Sequence, residues 1–147
     1  MKRAIVDHVH VLVHGERPPT DAEWDDYLAT LRQQGPGLVE LIVTAGAGPL
    51  DRQRARLREL LADRRVPTAI LVDGTIARLR IDFWGRVRRR WEVRVYRTDQ
   101  IVEALAFLGV PHIRTPEIAR VVEQLRREAA EPRPALATPA AAEERPR

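Results

Sequence analysis

The sequence predicts an α/β fold, a small open and mostly parallel four-stranded sheet with helices packed on it, and three features carry that prediction. Apolar runs of strand length alternate with segments of helical periodicity. The breaks between them hold glycine, proline or capping residues. Two of the runs are apolar at nearly every position, as strands covered on both faces require. Alternation of this kind favours strand-crossover-strand units, and hence parallel pairing.

The first run, residues 4–14, sets Ile5, Val9, Val11 and Val13 on one parity and His8, His10, Leu12 and His14 on the other. It reads as one long strand with one dry face. After the break at 15–19, Thr20 and Glu23 stand at capping-box spacing. A helix follows in which Trp24, Tyr27, Leu28 and Leu31 form an apolar stripe. Residues 38–43 read as a central strand, and 44–49 as a glycine-bearing turn. Pro49 then opens a helix with Leu50, Leu57, Leu60 and Leu61 inside and arginines outside. Residues 66–72 read as the third strand, with Pro67 tolerable at its start.

The stretch 76–84 suits a helix through Ile76, Leu79, Phe83 and Trp84. Strict alternation over 91–96 marks an edge or near-edge strand. Thr98 is expected to cap a helix carrying Ile101, Val102, Leu105 and Leu108, stopped by Gly109 and Pro111. Thr115 and Pro116 start the last helix, through Ile118, Val121, Val122 and Leu125. The division predicted is a domain over 1–129 and a tail over 130–147, whose Pro, Ala, Glu and Arg cannot repay the entropy of ordering.

Composition narrows the function classes. With 147 residues and 44% hydrophobic content the chain supports one core. It has no cysteine, which excludes disulfides, thiol nucleophiles and thiolate metal sites and fits a reducing, cytoplasmic setting. It has no serine either, so the common hydrolase nucleophiles are missing and Thr44 has no evident base. Asp7 and three histidines interrupt the N-terminal apolar run, which fits neither a signal sequence nor a membrane span. No enzyme and no cofactor are expected. The net charge of +4 rests on arginine, with Lys2 the single lysine, a bias that genome composition also produces.

The run 38–61, an apolar strand leading through Thr44, Gly46, Gly48 and Pro49 into a helix, resembles the strand-loop-helix centre of STAS domains, the anti-sigma factor antagonist fold and its SpoIIAA-like relatives. The order of the later elements follows that fold, so the resemblance spans about residues 4–125. It implies a bacterial, non-enzymatic regulatory domain that binds protein partners, a homodimer among them, and is often switched by phosphorylation at the start of the helix after the central strand. The loop here lacks an Asp-Ser-Ser-Gly type sequence, and Thr44 is its only hydroxyl. The family's additional N-terminal strand is either missing or fused into the first long run.

Three candidate sites follow. The loop at Thr44, Gly46 and Gly48, with Arg52 and Arg54 in the helix behind it, lies where open α/β sheets bind ligands, although two glycines also make an ordinary tight turn. Arg78, Arg80, Arg86, Arg88, Arg89, Arg90, Arg94 and Arg97 form a basic run with Phe83, Trp84, Trp91 and Tyr96 interleaved, and Arg86 to Arg90 is its best address for a partner. That run suits an acidic protein surface or, as the alternative, nucleic acid or another anionic ligand; a solvated face is the plainer reading. His8, His10 and His14 share a strand face, but no acidic residue on that parity completes a ligand set, so partly exposed surface histidines are expected and no metal.

Overall fold

A computed structural model describes residues 1–44, 46–73 and 92–131. The predicted helix at 76–84, the Arg86-to-Arg90 run and the tail beyond residue 131 lie outside the described residues. Within them the chain forms five strands, β1 (Lys2–Val6), β2 (Val9–His14), β3 (Val39–Thr44), β4 (Thr68–Val72) and β5 (Val93–Arg97). The helices are α1 (Asp21–Gln33), α2 (Asp51–Leu60), α3 (Ile101–Phe107) and α4 (Thr115–Ala130). The sheet order is β1-β2-β3-β4-β5; β1 is antiparallel to β2, and every other pair is parallel.

The fold class is therefore α/β, with five strands in a mixed sheet rather than four. The extra strand comes from the first run, which is a hairpin and not one long strand. Asp7 turns it with a φ of 54°, a left-handed conformation that Asp enters more readily than most residues with a Cβ. Asp7 also forms an ion pair with Arg114, tying the turn to the start of α4.

Because β2, β3 and β4 step across the sheet in one direction, right-handed crossovers put α1 and α2 on the same face. One core layer joins Leu12, Ile42, Ile70 and Val93 to Trp24, Tyr27, Leu28 and Leu31 of α1 and Leu57 of α2. The opposite layer joins Val11, Leu41 and Leu71 to Leu105 of α3 and to Ile118, Val122 and Leu125 of α4. All six residues of β2 are buried, so the expectation of one dry face is corrected: α1 covers the His10, Leu12 and His14 side as fully as α4 covers the other.

The start of α1 is a capping box as predicted: Thr20 Oγ1 accepts from the Glu23 amide at 3.2 Å, and Glu23 Oε2 accepts from the Thr20 amide at 2.8 Å. Thr98 behaves otherwise than predicted. It lies inside a 3-10 turn, Thr98–Gln100, and its hydroxyl donates to Val72 O at 3.2 Å, fastening the turn to the end of β4. β5 closes the described sheet order, as its alternating pattern suggested, and α4 runs through Ala130, one residue past the predicted boundary.

Candidate functional site

The strands end level with one another. The parallel register places His14 beside Thr44, Thr44 beside Val72, and Val72 beside Arg97, and the carboxyl edge of such a sheet is where α/β folds form their sites. Under this edge, between β2, β3 and α1, lies a cavity of about 50 Å³. Leu12, Ile42, Leu57 and Ile70 form its apolar wall, Trp24 and Tyr27 its aromatic wall, and His14, Thr44, Gly48 and Pro49 complete it.

Both aromatic walls are pinned by buried hydrogen bonds. Trp24 Nε1 donates to Gln53 O at 2.9 Å. The Tyr27 hydroxyl donates to Glu40 Oε1 at 3.1 Å. Burial, with the Glu40 carboxylate adding to it, pushes the Tyr27 hydroxyl well above the ordinary phenol range, so it remains a donor. His10 is fully buried beside the same carboxylate, its Nδ1 3.4 Å from Glu40 Oε1 but not aligned for a hydrogen bond.

The expectation of surface histidines is corrected for two of the three. His8 is exposed in the hairpin turn, whereas His10 and His14 are 0% and 4% exposed. His14 is held down to a pKa of about 4, first by burial and then by the Met1 ammonium, with Glu23 opposing. It is therefore a neutral imidazole at pH 7. Its Nδ1 is buried without a hydrogen-bond partner. Among the described residues no group of three or more His, Cys, Asp or Glu could hold a metal.

The loop after β3 is braced rather than open. A Cβ on Gly46 would lie 2.8 Å from Glu16 Cα, so only glycine lets the loop rest on that backbone. The Ala47 amide donates to Glu16 O at 3.4 Å. Behind the loop, Gln53 is buried and accepts from the Leu50 amide at 2.9 Å while donating to Pro19 O at 2.9 Å and to Asp21 Oδ1 at 3.1 Å. Thr44 Oγ1 lies 3.5 Å from Gly46 O, and Gly48 faces open space.

Of the residues the sequence singled out, the structure brings Thr44 and Gly48 to the cavity, and Gly46 to the loop that borders it. Arg52 and Arg54 turn elsewhere. Arg52 pairs with Asp21 at 3.0 Å and holds that carboxyl below its ordinary value, and Arg54 donates to Pro49 O at 2.7 Å and pairs with Asp51. Arg86, Arg88, Arg89 and Arg90 lie outside the described residues. Sequence reasoning missed Glu40, Tyr27 and Gln53. The signal for Glu40 was an acid in the middle of an otherwise apolar central strand, in register with His10.

Comparison with protein-family models, with curated proteins and with solved structures finds no match to this chain in any of the three. No helix among the described residues is long and apolar enough to cross a membrane.

Proposed function

We propose that this protein is a non-enzymatic regulatory module that docks a protein partner at the carboxyl edge of its sheet, in the manner of the anti-sigma factor antagonists it resembles. The observation that carries the reading is the braced loop at Thr44, Gly46 and Gly48. It leaves the central strand, stays partly exposed, and is held from behind by Gln53 and from beside by Glu16. A surface ordered in advance loses little entropy on docking. Apart from the helix expected at 76–84, which lies outside the described residues, the succession from β2 to α3 follows the order of elements on which the resemblance rests.

Charge indicates the partner's chemistry. Several of the described arginines pair with acids, among them Arg3 with Asp26, Arg56 with Asp25, Arg97 with Asp99, and Arg126 with Asp73 and Glu123. Residues 74–91 instead carry six arginines, Arg78, Arg80, Arg86, Arg88, Arg89 and Arg90, against the single acid Asp82. An acidic protein surface suits that excess, with the run as a second contact.

Affinity capture of the tagged chain from its native host, with and without nuclease, tests the reading. A discrete protein that survives nuclease, is lost with Arg88→Glu and is retained with the exposed control Arg127→Glu supports it. Recovery that disappears with nuclease overturns it in favour of nucleic-acid binding.

A further inference from the structure

The outer edge of β1 has no neighbouring strand among the described residues. The Val39 amide donates to His8 O at 3.0 Å, so the even-numbered residues of β2 turn their backbone groups to β3 and the odd-numbered ones to β1. Val13, Val11 and Val9 stand opposite Lys2, Ala4 and Val6. The amides and carbonyls of Arg3 and Ile5 therefore point outward, as a template for another strand. Side chains alternate likewise. Ala4 and Val6 pack into the layer under α4, whereas Ile5 lies on the α1 side and is 42% exposed. Arg3, two residues before it, is fastened to α1, donating to Asp26 O at 2.8 Å and to Thr30 Oγ1 at 2.6 Å. The strand is thus ordered before anything pairs with it.

Three properties of this edge select its occupant. The outward residues are placed symmetrically about Ala4. An antiparallel copy of the same strand sets Arg3 against the partner's Ile5 and Ile5 against the partner's Arg3, so every outward amide and carbonyl is used. Ala4 then falls on the two-fold axis, at a pair without backbone bonds, where side chains stand closest and a methyl fits. The ends of the strand are opposite in charge, with Lys2 and Arg3 at one and Asp7 at the other, its carboxylate largely exposed despite Arg114. An antiparallel copy brings Lys2 beside the partner's Asp7, whereas an in-register parallel copy sets Lys2 and Arg3 against their own kind. Ile5 gains cover from the stem of the partner's Arg3 and, diagonally, from the partner's Ile5. We propose that β1 pairs antiparallel with β1 of a second copy of this chain, about a two-fold axis at Ala4, joining the two sheets into one. β2 stands between this seam and β3, so the loop at Thr44, Gly46 and Gly48 is left uncovered in both copies. The pairing is independent of what docks at that loop.

Sedimentation of the full chain over a range of concentrations tests the pairing, and a reversible dimer is expected. Because the Ile5 amide faces outward, Ile5→Pro removes no bond to β2 and blocks the seam. Ile5→Lys blocks it by charge. Each is expected to stay folded, shown by a dispersed amide spectrum, and to raise the dimer dissociation constant at least about tenfold. Val102→Lys charges an equally exposed apolar residue on α3, 42% exposed, and is expected to leave the dimer intact. The chain has no cysteine, so a single introduced thiol reports the register. Ala4→Cys is expected to cross-link on oxidation, because Cα atoms across such a pair lie about 4.5 Å apart. Lys2→Cys is not, since Lys2 faces the partner's Val6 and its mate stands on the order of 13 Å away. A monomer at every concentration, a dimer that survives both Ile5 variants, or a dimer lost equally with Val102→Lys overturns the proposal. So does cross-linking no stronger in Ala4→Cys than in Lys2→Cys, an outcome that does not depend on the Ile5 variants folding. If the Arg3 and Ile5 amides are protected from exchange only when a different, captured protein is bound, the edge serves that protein and the second-copy assignment fails.

Discussion

Glu40 of β3 lies directly beside His10 of β2 in the parallel register, and the Tyr27 hydroxyl of α1 donates to its carboxylate at 3.1 Å. Three polar side chains thus meet where helix and sheet would otherwise be sealed by hydrocarbon. Each is almost wholly buried; Tyr27 and Glu40 satisfy one another, while His10 lies against the carboxylate without a hydrogen bond.

Tyr27→Phe removes the donor and leaves the buried carboxylate short of a partner. The expected loss is about 1–3 kcal/mol of folding stability by urea denaturation. Adding Glu40→Leu to Tyr27→Phe should recover part of that loss, since both ends of the bond are then gone. A double variant that is less stable than the single one by the full cost of a second deletion would contradict this account.

His14 makes stability depend on pH. In the unfolded chain its imidazole titrates near the ordinary value of 6.5, and in the folded protein near 4. Between those values the unfolded chain takes up a proton that the folded one refuses. Stability is therefore complete above about pH 7 and falls as the pH drops through 6.5 towards 4, by about 3 kcal/mol in all. His14→Leu should flatten that part of the curve. Denaturant midpoints of the two proteins, measured at several pH values across the window, are the check.

The two glycines of the loop after β3 should respond oppositely to alanine. At Gly46 the added methyl meets the Glu16 backbone at 2.8 Å, and the expected cost is about 1–3 kcal/mol. At Gly48 nothing lies within 4 Å, and Gly48→Ala should change stability by no more than about 1 kcal/mol, in the stabilising direction. Thermal melts of the pair of variants would show it, and equal losses would refute the bracing role given to Gly46.

Thr20→Ala removes one half of the capping box at α1 and should cost about 1 kcal/mol, whereas Thr20→Asp keeps an acceptor at the N-cap and should lose much less. Denaturant titration distinguishes them.

Much of the architecture was legible in the residues. The stripe of Trp24, Tyr27, Leu28 and Leu31, the apolar run of β3, the alternation of β5 and the start of α4 at Thr115 are local patterns, and local periodicity follows directly from backbone geometry. The hairpin was hidden because its turn, Asp7 and His8, does not interrupt the length of the run, although it reverses the parity: Ile5, expected on the side of Val9, Val11 and Val13, pairs with His10 on the other face and is exposed, and Ala4 and Val6 take its place. Thr98 misled because a threonine before a helix looks like a cap, whereas here its hydroxyl reaches the end of a neighbouring strand.

Of the candidate site, the sequence alone determined the loop residues Thr44, Gly46 and Gly48 and their place after a central strand, because turn chemistry and apolar run length are written in consecutive residues. Tertiary structure alone decided that His14 is buried beneath that loop, that Glu40 meets Tyr27 and His10, and that Arg52 and Arg54 turn to Asp21, Pro49 and Asp51. Apart from those of Arg54, which reach only three and five residues along the chain, these contacts join positions from thirteen to thirty-one residues apart, and which of them meet depends on the register of β2 on β3 and on the helices that cover them. No periodicity within one segment contains that information.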